Sequence, residues 1–330
     1  MKHIQVWQQA TVVATEDITP TVRQFLLRPA SGQATRWEGG AHLQVQVTVN
    51  GQLQMRHYSL VGTSDGVHWR IAVKRMEGGR GGSAAMWTLQ VGTSLPVSGP
   101  HNHFALDLSA PAYLLIAGGI GITPLVAMAQ RLAALSSTKG TPVRMLYGAR
   151  TQDELAFAGT LREALGHRVQ TFVAANGENM DFAAEIAALP PKAQLYTCGP
   201  VPMLEAIRKA WLAAGRRLAE LRFETFGSSG SFAAQAFRVQ IPRHQLDIMV
   251  PAETTLLEAL EQAGIDTISD CRRGECGLCV MDVLAVKGEI DHRDVFLSAH
   301  EKQQNSRMCV CVSRVVGELT LDSAWRPDAA

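Results

Sequence analysis

Five cysteines towards the C-terminal end of this 330-residue chain have the spacing of a metal site. Cys271, Cys276 and Cys279 form a C-x4-C-x2-C run, and Cys309 and Cys311 follow further along the chain. In plant-type [2Fe-2S] sites, three thiolates from one tight loop and a fourth from a later segment hold the cluster. Structural zinc is the alternative, but zinc ribbons use two C-x2-C pairs, so the x4 gap favours iron and sulfide.

The fourth ligand has two candidates. We predict that Cys309 and Cys311 lie on one strand with their thiols on the same face, roughly 6.5 to 7 Å apart, too far to share one iron. Cys311 begins the sequence Cys-Val-Ser-Arg and is our choice, with Cys309 as the alternative. Gly274 and Gly277 are expected to let backbone N–H groups turn towards the sulfurs.

A glycine-rich turn lies between a buried apolar strand and a helix in the middle of the chain. It contains Gly118, Gly119 and Gly121, followed by Thr123 and Pro124. We expect Thr123 to be the N-cap and Pro124 the first helical residue, which leaves backbone N–H groups for an anionic ligand. A dinucleotide pyrophosphate fits such a turn, although a plain strand-to-helix turn has the same pattern.

Cys198 ends a later strand of the same predicted sheet and precedes Gly199 and Pro200. Because ligand crevices of parallel sheets lie at the carboxyl ends of the strands, Cys198 is expected near the glycine turn. An inert buried cysteine is the alternative interpretation.

A third group of residues lies in the first third of the chain. Arg56 offers a bidentate clamp for a phosphate, Tyr58 a face on which a flat ring can stack, and Ser59 a donor for a ring nitrogen. The glycine run 78–82 and Ser83 add backbone N–H groups and a hydroxyl. Each feature alone also fits an ordinary barrel surface.

The elements that must position these residues differ along the chain. An antiparallel barrel is predicted for the first third of the chain, from its strand-like runs and from Asn50-Gly51, a hairpin signal. The runs lie at 5–14, 22–27, 43–49, 53–55 and 69–73. From residue 112, strands alternate with helices, which predicts a parallel sheet. The strands are expected at 113–117, 143–147, 168–173, 194–197 and 221–224, and the helices at 125–135, 154–165, 182–188 and 203–214. We therefore assign one domain to 1–107, a second domain to 108–227, a linker to 228–236 and a last module to 237–330. In this last module a helix is predicted at 256–263.

Composition excludes several classes of protein. With 46% apolar and 18% charged residues, the chain is predicted to be soluble and globular, and its net charge of +1 gives no case for nucleic-acid binding. Residues 108–130 carry no charge, but their glycines and prolines argue against a membrane span. No apolar segment follows Met1, so a cytoplasmic protein is expected.

Together, the three motifs resemble the phthalate dioxygenase reductase family, which includes vanillate demethylase reductases, over about 5–324. The resemblance implies an antiparallel β-barrel flavin domain, an α/β parallel-sheet NAD domain and a C-terminal α+β plant-type ferredoxin domain. It also implies FMN rather than FAD, bound with Arg56 and Ser83 at the phosphate. Tyr58 is expected to pack on the isoalloxazine, Ser59 to face its reactive nitrogen, and Cys198 to lie near the nicotinamide.

Phe226 looks like the aromatic residue that covers the flavin until nicotinamide displaces it. The candidate catalytic residues are Ser59, Cys198 and Phe226, and the metal ligands are Cys271, Cys276, Cys279 and Cys311. The candidate cofactor-binding residues are Arg56, His57, Tyr58, Ser59, Lys74, Gly81, Gly82, Ser83, Gly118, Gly119, Gly121, Thr123, Pro124, Cys198 and Phe226.

The function that follows is electron transfer from NADH through FMN and a [2Fe-2S] cluster to a Rieske-type terminal oxygenase, by a monomeric protein. NADH is favoured over NADPH, although Arg150 after the second strand could contact a 2′-phosphate. A reductase for a di-iron monooxygenase is one alternative. An NAD-binding iron–sulfur sensor without flavin is the other.

Overall fold

The computed structural model describes residues 6–77, 81–226 and 232–323. The chain divides into two compact units, one up to Glu224 and the other from Thr225 onward. The first unit contains two sheets and the second contains one.

The first sheet is antiparallel throughout and has the strand order β4-β3-β6-β1-β2-β5. A bridge between Leu60 and Ile71 joins the two ends of this order, so the sheet curls into the predicted barrel. Its elements are β1 (Trp7–Thr19), β2 (Val22–Pro29), β3 (Ala41–Val49), β4 (Gln52–Ser59), β5 (Trp69–Lys74), α1 (Gly82–Thr88) and β6 (Ser94–Asn102).

The hairpin between β3 and β4 was predicted from Asn50-Gly51 and is confirmed. Val49 pairs with Gln52, and the two turn residues have φ of 50° and 78°. A two-residue turn with both central residues at positive φ matches the twist of the strands that it connects. It sets the register of β4, and therefore the place of the Arg56 to Ser59 segment.

The second sheet is parallel and has the order β11-β10-β7-β8-β9, as the alternating pattern predicted. This order puts the carboxyl ends of β7, β10 and β11 side by side. Its elements are β7 (Tyr113–Gly118), α2 (Thr123–Lys139), β8 (Val143–Ala149), α3 (Ala158–Leu165), β9 (Val169–Val173), α4 (Phe182–Ala187), β10 (Gln194–Cys198), α5 (Val201–Ala213) and β11 (Leu221–Glu224).

Two predicted helix starts in this sheet domain are wrong. The helix expected from residue 154 begins at Ala158, because Phe157 has a φ of 61°, in the left-handed region. Thr123 is not an N-cap: it is already helical, and its hydroxyl donates to the Ile120 carbonyl at 3.0 Å. The N-cap residue is Ile122, which has no capping side chain.

One helical stretch, Gly119–Lys139, is long and apolar enough to cross a membrane by length and composition. In the structure, 56% of its most apolar window is buried inside the protein. Leu125, Met128 and Leu132 belong to the largest core cluster, together with residues of β7 and β8. The stretch is therefore a core helix, as expected of a soluble protein.

The third sheet has the order β13-β12-β16-β14-β15, with β12 and β16 parallel and the other pairs antiparallel. The predicted helix is confirmed as α6, and Thr255 and Glu258 form a capping box at its start. The elements are β12 (Phe237–Ile241), β13 (Leu246–Val250), α6 (Leu256–Gln262), β14 (Val280–Asp291), α7 (Ala299–Gln304), β15 (Arg307–Cys309) and β16 (Arg314–Asp322).

The hydrophobic cores follow the division into two units. One cluster joins barrel residues such as Val22 and Phe104 to Leu125 and Tyr147 of the parallel-sheet domain. The cluster of the third sheet contains only residues of the second unit. Of the linker predicted at 228–236, residues 228–231 lie outside the described residues, and 232–236 form neither helix nor strand. The predicted domain boundaries remain predictions.

Candidate active site

The start of α1 and the end of β4 form a corner suited to a phosphate. A Cβ atom on Gly82 would collide with Nε of Arg56, so only glycine lets the backbone lie against the guanidinium. Gly81 has a φ of 75°, and no side chain caps the first N–H groups of α1. Arg56 donates to the Met55 carbonyl at 2.8 Å and also to the Gln54 side chain. This cradle of cation and backbone fits a flavin phosphate.

The other residues of this motif are divided between the two faces of β4. Tyr58 is half-buried against the barrel core, and burial raises the pKa of its phenol, which keeps the ring neutral. The His57 ring instead stacks on His42 at 5.3 Å, on the face opposite to Arg56 and Tyr58. Ser83 lies in α1, where its hydroxyl accepts the Met76 N–H at 3.1 Å.

Lys74 is engaged in an ion pair. Its Nζ donates to Oε1 of Glu154 at 2.7 Å. Burial acts to raise the pKa of Glu154, but the hydrogen bond and the charge of Lys74 outweigh it and lower that pKa. The Arg150 N–H donates to the other carboxylate oxygen at 3.3 Å. A role of Lys74 at a cofactor site remains a prediction.

The glycine turn after β7 and the end of β10 meet, as their places in the sheet predicted. A Cβ atom on Gly121 would collide with the backbone carbonyl of Cys198, and one on Gly118 would lie 2.7 Å from Cδ of Pro200. Gly119 has a φ of 54°. The two segments therefore form one edge, at which backbone N–H groups can receive a pyrophosphate.

A buried acid that the sequence analysis did not single out joins two candidate catalytic residues. Glu224 ends β11, is 1% exposed, and accepts the Ser59 hydroxyl at 3.3 Å between Oγ and Oε2. It is also the direct ladder neighbour of Cys198 on β10. The sequence feature that could have identified Glu224 is a carboxylate at the end of a short strand. Phe226 follows two residues later, and its side chain is 38% exposed.

The cysteine loop of the second unit directs backbone donors at sulfur. The N–H groups of Arg273, Glu275 and Cys276 lie 3.4 to 3.5 Å from Sγ of Cys271. Gly274 and Gly277 have φ of 75° and 74°, as a tight loop around a cluster requires. Such N–H groups stabilise the negative charge of ligand thiolates.

The thiols that the sequence predicts as cluster ligands are largely shielded from water. Among the residues that the structure describes, no three Cys, His, Asp or Glu side chains could hold a single metal ion. Cys271, Cys279 and Cys311 are buried and Cys276 is half-buried, so these four thiols fit a [2Fe-2S] cluster shielded from water.

The prediction that Cys309 and Cys311 share a strand face is wrong. Strand β15 ends at Cys309, and the N–H groups of Val312 and Ser313 both donate to the Cys309 carbonyl, at 3.3 and 3.0 Å. Cys311 therefore lies in a turn. Strand spacing therefore does not decide which of the two is the ligand, and Cys311 stays the predicted fourth ligand.

Three family models match the chain in the order of its sheets. They describe an oxidoreductase FAD-binding domain over 9–106, an oxidoreductase NAD-binding domain over 115–209 and a 2Fe-2S iron–sulfur cluster binding domain over 240–316.

Full-length relatives show the same similarity. Phenoxybenzoate dioxygenase subunit beta of Ectopseudomonas oleovorans is 39% identical over 90% of this chain and 91% of the relative. The beta subunit of a heme-dependent oxidative N-demethylase of Ectopseudomonas mendocina is 33% identical, over 93% and 95%. The solved structure of phthalate dioxygenase reductase, described as a modular structure for electron transfer from pyridine nucleotides to [2Fe-2S], has a TM-score of 0.79 at 31% identity and covers 96% of this chain and 98% of its own. The chain belongs to the phthalate dioxygenase reductase family.

Proposed function

We propose that this chain is the reductase component of a Rieske-type oxygenase system and delivers electrons from NADH, through FMN and a [2Fe-2S] cluster, to the terminal oxygenase. The observation that carries the proposal is the presence in one chain of all three sites. These are the corner at Arg56 and Gly82, the edge at Gly121 and Cys198, and the cysteine loop.

The bound groups would supply the redox chemistry: the flavin takes two electrons from NADH and releases them singly, and the cluster carries one electron at a time. The chain supplies binding and orientation. Arg56 and the start of α1 neutralise a phosphate, which favours FMN because its single phosphate matches a corner of that size.

The chain's residues at the flavin–nicotinamide junction orient the reactants. Glu224 accepts the only proton of the Ser59 hydroxyl, so Ser59 would meet a ring N–H group as an acceptor and not as the predicted donor. Cys198 and Gly121 would shape the crevice for the nicotinamide nucleotide, and the role of Phe226 as a cover for the flavin remains a prediction. Burial of Ser59, Cys198 and Glu224 excludes water from the junction.

The direction of electron flow follows from general potentials. Plant-type clusters lie near about −400 mV and Rieske centres at about −150 to +300 mV. Delivery to a Rieske partner is therefore downhill by at least about 6 kcal/mol per electron. The difference in reduction potential alone drives the transfer in this direction.

The proposal also specifies the class of the partner oxygenase. One relative is named as a dioxygenase subunit and another as a subunit of a heme-dependent N-demethylase, so the terminal oxygenase need not be the same across the family. Use of NADH and of reduced thiolate ligands supports a cytoplasmic location. The monomeric state remains a prediction.

The direct test is reconstitution. The purified chain should contain about two irons, two acid-labile sulfides and one FMN, and should support NADH-dependent turnover when mixed with a Rieske oxygenase from the same genome. One zinc and no sulfide would refute the cluster. Turnover with a di-iron monooxygenase but not with the Rieske enzyme would replace the proposed partner.

A further inference from the structure

The residue directly after β11 is fastened to the cysteine loop. Thr225 is 2% exposed and belongs, like Glu275, to the second unit. Its backbone N–H and its hydroxyl both donate to Oε1 of Glu275, at 2.5 and 2.9 Å. The other carboxylate oxygen, Oε2, lies 3.5 Å from a guanidinium nitrogen of Arg273. Both oxygens of Glu275 are therefore engaged, one of them by Thr225 alone.

Glu275 is also part of the surroundings of the proposed cluster. It directly precedes Cys276, and its own N–H lies 3.5 Å from Sγ of Cys271. Its side chain thus binds Thr225 while its backbone is one of the donors around a ligand sulfur. The contact with Thr225 therefore acts on the backbone segment that carries two of the proposed ligands.

The far end of the predicted linker is held by the same unit. Arg293 donates to the Phe232 carbonyl at 2.9 Å, and Arg314 donates to the Gln235 carbonyl at 3.0 Å. Both arginines are buried within the second unit. The chain is thus bound to this unit on both sides of residues 227–231. Direct contacts, and not the length of this segment, therefore hold the chain after β11 to the second unit.

One peptide bond before Thr225, the chain belongs to the proposed flavin site. Glu224 accepts the Ser59 hydroxyl at 3.3 Å within the first unit, and Ser59 is expected to face the flavin ring. Consecutive Cα atoms are about 3.8 Å apart. Covalent connection alone therefore joins the residue that holds Ser59 to the residue that holds the cysteine loop.

We propose that Thr225 and Glu275 are positioning residues that hold the cysteine loop in place for electron transfer from the flavin, and that the rate of this step depends on their contact. One electron leaves the reduced flavin and enters the oxidised cluster, so the flavin is oxidised by one electron and the cluster is reduced by one. No bond of the chain forms or breaks. The inference rests on the proposed function, in which NADH supplies the electrons.

The test removes the contact from either side in the full-length holoprotein. Thr225→Val removes the hydroxyl, Glu275→Ala removes the acceptor of both donors, and Thr225→Ser keeps a hydroxyl. After anaerobic mixing with NADH, freeze-quench electron paramagnetic resonance follows the reduction of the cluster. Because a misplacement of reacting groups by about 1 Å can lower a rate about a hundredfold, cluster reduction should slow about tenfold or more in the first two variants. Thr225→Ser should lie close to wild type.

Other readouts separate positioning from a general loss of structure. Flavin reduction by NADH, followed by absorbance, and iron content should match wild type in all three variants. The midpoint potential of the cluster should not change in Thr225→Val, because this variant leaves the charge of the loop unchanged. In hydrogen–deuterium exchange, which needs no turnover, the Thr225 amide should exchange about tenfold faster in Glu275→Ala because it loses its acceptor.

Two controls isolate the contact. Glu261 on α6 accepts from Arg272 of the cysteine loop at 2.5 Å, so Glu261→Ala also removes a carboxylate bound to this loop but leaves Thr225 in place. Insertion of a Gly-Ser repeat between Ser229 and Gly230 lengthens the predicted linker. Cluster reduction should keep its wild-type rate in both control proteins.

Several outcomes would overturn the inference. A wild-type rate of cluster reduction in Thr225→Val and Glu275→Ala removes the positioning role, and so does equal slowing in either control. A shifted potential in Thr225→Val would assign the slowing to driving force. Loss of iron from both variants would assign the contact to cluster assembly. Absence of iron, sulfide or FMN from the wild-type protein would overturn the proposed function itself, and cofactor analysis distinguishes that failure from the others.

Discussion

At the scale of single residues, Arg56 is the side chain on which flavin affinity should depend most. It is the cation of the proposed phosphate corner, and charge-assisted hydrogen bonds of this kind contribute roughly 1.5 to 3 kcal/mol. Arg56→Ala should therefore weaken FMN binding about tenfold to a hundredfold, measured as the dissociation constant from flavin fluorescence. Arg28→Ala, which removes an exposed arginine of the same barrel, is the matched control. An unchanged constant in Arg56→Ala would refute the role.

Glu224 allows a second prediction at this scale. Glu224→Gln preserves size but removes the charge that accepts the Ser59 hydroxyl. A hydrogen bond to a charged group contributes roughly 1.5 to 3 kcal/mol, so flavin reduction by NADH should slow about tenfold or more in stopped-flow measurements. The KM for NADH should change little. Glu205→Gln on the exposed side of α5 is the control, and an equal slowing there would argue against a specific role of Glu224.

At the scale of elements, the close approach of the glycine turn to β10 shapes the proposed nucleotide edge. Gly121→Ala would force the turn and the Cys198 carbonyl apart, and overpacking of this kind costs roughly 1 to 3 kcal/mol. The KM for NADH in ferricyanide reduction should rise about tenfold, while FMN content stays at wild type. In Gly159→Ala the new Cβ meets no atom within 4 Å, so its kinetics should not change. Normal NADH kinetics in Gly121→Ala would contradict the proposed edge.

At the scale of the whole molecule, the separate cores predict that the electron path can be cut between the two units. The second unit's core cluster uses only its own residues, so a chain that ends before Gly230 should still fold and bind FMN. It should oxidise NADH with ferricyanide, which accepts electrons from flavin directly. It should fail to reduce cytochrome c or the oxygenase efficiently. Full support of the oxygenase by this fragment would disprove the order NADH, flavin, cluster, partner.

Much of the architecture could be predicted because it depends on local pattern. Alternation along β3, the Asn50-Gly51 turn and the strand–helix alternation after residue 112 each act over a few residues. The cysteine spacing belongs to the same class, since a tight loop must be contiguous in the chain. Helix starts were harder, because the positive φ of Phe157 is not visible in a pattern of apolar residues.

What the sequence alone determined about this protein is the set of residue types that can bind flavin, nucleotide and cluster, and the order of the elements that carry them. Tertiary structure alone decided which distant residues meet. Glu224 reaches Ser59 across 165 positions of the chain, and the turn after Cys309 takes Cys311 off the strand. The physical reason is that such contacts depend on how sheets and turns pack in three dimensions, and neither periodicity nor spacing encodes that packing.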